Sequence, residues 1–184
     1  KTEGEGNFVN GIITLVLFSL FIPLTFYFGL RSLASSMGFG GAGFSEYVPF
    51  GSIFFKPFIF ILLFVAIASA IIFAVAKPGL SNLNFKAVVG KFGALMVVPT
   101  TIILLSLLVV VLNMFSVFGY VFILGLAGMF IAATVTIYSF ANTTSKGIDG
   151  FYGALIFNIG AFLYFQIVSE NLIINQLLDE MSYF

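Results

Sequence analysis

The sequence predicts an all-α fold: an integral membrane bundle of five transmembrane helices followed by a C-terminal amphipathic helix. Three observations predict it. Hydrophobic residues make up 61% of the 184-residue chain and charged residues only 8%, where soluble proteins carry roughly 45–50% and about 25%. Five stretches of 18 to 25 residues contain no charge at all, matching the ~20 apolar residues that a helix needs to cross the hydrocarbon. The seven basic and seven acidic residues all lie between or beyond those stretches. So few charges cannot coat a water-facing surface, which excludes a soluble enzyme, a nucleic-acid binder and a disordered linker.

The chain opens at Lys1 without an initiator Met or a basic leader. Residues upstream are therefore expected, and 1–11 reads as a polar tail rather than a cleaved signal peptide. The first span is Ile12–Leu30, with Pro23 a kink that neighbouring helices can satisfy. Arg31–Pro57 is a long connection, Gly-rich over 38–43 and aromatic at Tyr47, Phe50, Phe54 and Phe55. That composition suits a flexible segment at the headgroup level. Pro57 opens the second span, Phe58–Ala76, where its missing N–H costs nothing.

Lys77-Pro78-Gly79 ends that span, and Ser81, Asn82 or Asn84 can cap the next helix. An amphipathic entry over 85–92 leads into the third span, Phe92–Leu112, kinked at Pro99. Asn113 leaves almost no loop before the fourth span, Val117–Ala141, so these two helices form a tight antiparallel hairpin. A polar turn, 141–147, precedes the fifth span, Phe151–Val168. Residues 12–168 thus form the transmembrane domain. Beyond it, 169–184 places Ile173, Ile174, Leu177, Leu178 and Met181 at helical spacing, an amphipathic helix that either lies on the outer surface or extends span five.

Orientation follows from the basic residues. Lys1, Lys77, Lys86, Lys91 and Lys146 share one side, and Arg31 and Lys56 the other. The expectation is a multi-pass protein of the cell membrane with a cytoplasmic N-terminus and an external C-terminus, its acidic Glu170, Asp179 and Glu180 outside. The cluster Lys77, Lys86 and Lys91 would also attract anionic lipids, by about 1 kcal/mol per basic residue.

No catalytic, cofactor-binding or metal-ligating residue is assigned, and no cofactor is expected. The chain has no His and no Cys, so zinc sites of the usual kind and Ser-His or Cys-His nucleophiles are out of reach. The string Gly38-Phe39-Gly40-Gly41-Ala42-Gly43 formally fits a dinucleotide fingerprint but lacks the preceding strand and the following helix. The strongest polar groups within spans are Asn158 and Gln166, with Thr100 and Thr101 after Pro99. They could line a polar path, but interhelical bonding for the amides and bonding to the residue's own helix for the hydroxyls are the commoner roles. Gly90, Gly93, Gly119, Gly125, Gly128, Ala132, Gly153 and Gly160 let backbones approach closely, within the monomer or across a homo-oligomer seam. An interfacial cluster of Glu46, Lys56 and Arg31 is what a lipid-modifying enzyme would require.

The segment Asn84-Phe85-Lys86-Ala87-Val88-Val89-Gly90-Lys91-Phe92-Gly93, followed by Pro99, resembles the aromatic-Lys approach to an aromatic-Gly pair in the Yip (Ypt-interacting protein) family. The topology over about 58–168 is similar to that family too, its prokaryotic members above all. The resemblance implies a five-span membrane domain with no enzymatic residues to carry over. The resulting expectation is a non-enzymatic scaffold or partner-binding subunit. Its partners would be membrane lipids and another membrane protein or a second copy of itself, with no nucleic acid. The alternative is a subunit of a transporter or channel for a neutral or apolar solute, with Asn158, Gln166, Thr100 and Thr101 along the path. Uninterrupted spans and the absence of charge inside them weigh against it.

Overall fold

Uniformly apolar runs bounded by turn residues fold here into helices alone. The computed structural model describes residues 2–36, 38, 50–80, 82–141 and 147–181, with no strand among them. In chain order they form α1 (Thr2–Ser36), α2 (Phe50–Ala76), a 3₁₀ turn (Lys77–Gly79), α3 (Phe85–Leu95), α4 (Val97–Val111), α5 (Phe115–Ala141) and α6 (Gly150–Met181). Four stretches are long and apolar enough to cross a membrane: Asn7–Ser35, Ile53–Gly79, Phe115–Ala141 and Gly150–Val168. A fifth crossing results if α3 and α4, bent by 43° at their junction, form one broken span.

The helices overrun the apolar boundaries. α1 takes in the polar tail from Thr2 and continues to Ser36, so the tail is helical and the connection after the first span is shorter than Arg31–Pro57. Pro57 does not open α2; it lies inside, seven residues after Phe50. Phe50, Phe54 and Phe58 explain the extra turns. They stack along one face with ring centroids 4.9 and 5.9 Å apart, the i,i+4 pairing that holds a helix together. The Gly-rich string beyond Gly38, together with Tyr47 and Glu46, lies outside the described residues, as do Ser81 and most of the 141–147 turn.

The kink expected at Pro99 is present, and it is sharp enough, at 43°, to interrupt the third span. Pro99 has no N–H to give the Leu95 carbonyl, and its ring crowds that same group. The helix therefore breaks at Met96, whose N–H still reaches the Phe92 carbonyl at 2.9 Å while its carbonyl accepts from Thr100 N–H at 2.9 Å. Of the three possible caps, Asn84 is the one that starts α3, its side chain accepting from Lys86 N–H at 3.2 Å. The predicted hairpin at Asn113 is present: Asn113 takes a left-handed φ of 59° and hands the chain directly from α4 to α5. α6 runs without interruption to Met181, so the tail extends span five rather than lying apart from it. The faces presented beyond Glu170 lie outside the described residues.

Packing sets the relative directions. α1 runs parallel to α3, with Asn7 beside Gly90 and Gly11 beside Gly93, and antiparallel to α5, with Phe26 on Phe122 and Gly29 near Phe118. α6 runs antiparallel to both α2 and α5, where Gly153 meets Val75 and Ile137. The core threads all six helices through Phe18, Ile72, Phe92, Ile103, Ile137 and Phe157, none of them accessible beyond 1%. Small residues serve this internal packing. A Cβ on Gly125 would lie 2.6 Å from Ile103 and one on Gly160 2.8 Å from Ile71, whereas Gly119 faces open space.

Candidate functional site

Two features stand out once the helices are placed: a basic surface at one end of the bundle and an apolar cavity toward the other. The basic end gathers the N-terminal part of α1, the α2–α3 connection and the C-terminal end of α5. Lys77 sits 5.1 Å from the centroid of Phe73, Lys86 5.6 Å from Phe8, and Lys91 4.9 Å from Phe140. Each ammonium thus lies over an aromatic ring, the three rings coming from α2, α1 and α5. Such contacts are worth about 0.5–1 kcal/mol each at exposed sites. Here they bias three exposed cations toward aromatic rings at one end of the bundle.

The cavity, of about 280 Å³, lies among α1, α2, α5 and α6. Its floor is buried and apolar: Phe18 and Ile22 from α1, Phe64 from α2, Phe122 and Met129 from α5. Lining residues that reach the surface, Phe26 and Phe165, mark where it opens. The aromatic wall is braced by its own ring contacts. Phe26 meets Phe122 edge-on at 5.3 Å, and Phe64 packs against both Tyr164 at 5.2 Å and Phe165 at 4.8 Å. The one polar side-chain group on the wall, the Tyr164 hydroxyl, donates to the Phe60 carbonyl at 2.6 Å.

The polar residues singled out by sequence do not converge. Asn158 is exposed and donates to the Ala154 carbonyl at 2.8 Å, within its own helix. Gln166, also exposed, reaches Glu170 one turn on at 3.3 Å. Thr100 and Thr101 donate to the Met96 and Val97 carbonyls, and none of the four lines the cavity. The same self-bonding ties Ser19, Thr25, Ser69, Ser106 and Thr136. Arg31 and Lys56 are exposed, while Glu46 lies outside the described residues.

What sequence reasoning missed is the cavity. Apart from Tyr164, its walls are Phe, Ile, Leu, Met and Val, the same residue types that lie exposed elsewhere in the chain. The 26 Phe residues were the available signal, but their number says nothing about which of them converge.

No protein-family model matches the chain, and no solved structure matches it. The chain is 31% identical over 172 residues to the uncharacterized protein YvbI of Bacillus subtilis (strain 168), an alignment covering 93% of this chain and 69% of that protein. An alignment of that identity and extent places this all-helical chain, with its four or five apolar helices, in the family of Bacillus subtilis YvbI.

Proposed function

We propose that the protein is a non-enzymatic, multi-pass membrane scaffold or partner-binding subunit, the role its resemblance to the Yip family implies, with the lysine-bearing end in the cytoplasm and the C-terminus outside, the orientation that the distribution of basic residues favours. The observation that carries this reading is the basic end itself. Lys77, Lys86 and Lys91, each over an aromatic ring, Phe73, Phe8 and Phe140, gather exposed positive charge at one end, which complements an acidic partner surface. The strong concentration of Lys on that end is also what cytoplasmic loops carry. The test is chemical cross-linking in native membranes followed by detergent extraction and mass measurement. A complex heavier than the un-cross-linked protein run alongside is expected, and it fails to form in a K77E/K86E/K91E variant. A lone monomer with no co-purifying chain would sink the reading.

The cavity favours a second reading, a subunit that handles a neutral or apolar solute. Its support is a wall whose one polar side-chain group, the Tyr164 hydroxyl, has its proton committed to the Phe60 carbonyl. The proposed path through Asn158, Gln166, Thr100 and Thr101 has no part in it, because those side chains bond within their own helices.

A further inference from the structure

We infer that the aromatic cavity is a binding site for one acyl chain of a bilayer lipid, taken from the leaflet opposite the lysine end. The inference is independent of the scaffold reading and rests on chemistry, size and depth.

Chemistry comes first. The Tyr164 hydroxyl gives its proton to the Phe60 carbonyl, so the wall has no side-chain donor to spare for a ligand's buried acceptors, a penalty that apolar ligands avoid. A hydrocarbon chain asks for nothing the wall lacks. The rings instead supply dispersion contacts, which a gap at their faces would forfeit.

Size narrows the class. The ~280 Å³ volume is nearly twice the ~150 Å³ that admits benzene in an engineered apolar cavity. It falls just below the ~300–1,000 Å³ of pockets that enclose drug-sized molecules. A flexible chain can enter through a mouth and place only part of its length inside, which a rigid molecule of similar total volume cannot.

Depth identifies the source. Ile22 and Phe26 lie in the half of α1 away from Lys86 and Phe8, while Phe122 lies in the half of α5 away from Lys91 and Phe140. Tyr164 and Phe165 fall near the far end of the Gly150–Val168 span. At that depth the surrounding medium is itself acyl chain, so the ligand is present at solvent concentration.

The experiment uses the full chain reconstituted in phosphatidylcholine vesicles doped with phosphatidylcholine bearing a diazirine in one acyl chain. Irradiation and peptide mass mapping should place adducts on Ile22 and Met129, only 6% and 4% accessible, as well as on lipid-facing Ile159 and Phe162. Filling the cavity with Leu126→Trp should remove most of the wall adducts and leave those on Ile159 and Phe162 unchanged. Ile22→Phe, which fills the same space from α1, provides a second variant scored at Met129 should the first fail to fold. Labelling confined to lipid-facing positions in the unsubstituted protein overturns the inference, as does wall labelling that persists in the folded filled variants.

Discussion

Gly11 and Gly93 touch backbone to backbone: a Cβ built on Gly93 would lie 2.2 Å from the Gly11 Cα, and one on Gly11 would lie 2.6 Å from the Val89 carbonyl oxygen. Small residues allow this proximity between helices where lipid supplies no hydrophobic driving force. The contact seats α3 against α1 around the buried Val88, Val89 and Phe92. It thereby sets where Lys86 meets Phe8, and so connects a packing detail to the layout of the basic end.

Because the groups facing Gly93 are main-chain atoms, they cannot rotate away from an added methyl. Gly93→Ala is expected to destabilise the protein by about 3 kcal/mol, the upper part of the range for overpacking a filled core. Gly119→Ala is the control. Nothing lies within 4 Å of its added Cβ, so the helix gains up to ~1 kcal/mol of propensity. Thermal unfolding in detergent should therefore shift down for the first and stay level or rise for the second. Equal responses would mean that the α1–α3 contact is looser than it stands here.

The α4–α5 hairpin offers a second test. Asn113 holds a left-handed φ of 59° and its Oδ1 accepts from the Ser32 hydroxyl on α1. Asn113→Ala should cost about 2 kcal/mol, roughly half for the left-handed backbone and half for the lost hydrogen bond. Asn113→Gly should lose only the second part, since glycine occupies that conformation freely. Ser32→Ala should then add nothing in the Asn113→Gly background. A full additive loss in the double variant would separate Ser32 from Asn113.

Tyr164 distinguishes a bond from a wall. Removing only its hydroxyl, in Tyr164→Phe, should cost about 0.6 kcal/mol, the average for interhelical bonds in a membrane protein, because the donor disappears without leaving a hole. Tyr164→Ala removes the ring beside Phe64 and enlarges the cavity, so a loss of roughly 3–5 kcal/mol is expected. Similar losses for both variants, measured by unfolding in detergent, would place the energy in the hydroxyl instead.

Much of the architecture was legible because lipid imposes a length on apolar segments and turn residues announce themselves. Asn113 and Asn84 did what their side chains favour, and the hydroxyls bonded back onto their own helices. Pro57 misled because a proline can sit within a helix wherever its neighbours pack well, as Phe50, Phe54 and Phe58 do. Gly11 was counted with the tail, although it forms the tightest backbone contact of the glycines; its polar neighbours masked its partner in α3. The cavity was illegible for a different reason. When buried and exposed faces are both apolar, as with Phe122 and Ile123 in α5, periodicity carries no sign of which side faces inward.

The bent pair α3–α4 decides how many times the chain crosses the membrane. Phe92 to Val111, the charge-free part of the pair, is 20 residues that rise about 30 Å as helix, and a 43° bend near its start shortens the advance only to about 27 Å. That matches the ~30 Å hydrocarbon thickness to within a helical turn, so a single bent crossing is expected rather than a re-entrant loop. The chain contains no cysteine, so Lys86→Cys and Met114→Cys each provide one thiol at an exposed position. In intact cells an impermeant maleimide should label Met114→Cys at once and Lys86→Cys only after permeabilisation. Both thiols reacting from the same side would make the pair re-entrant, with four crossings. Labelling of Lys86→Cys alone would keep five crossings and invert the protein, placing the lysine end outside.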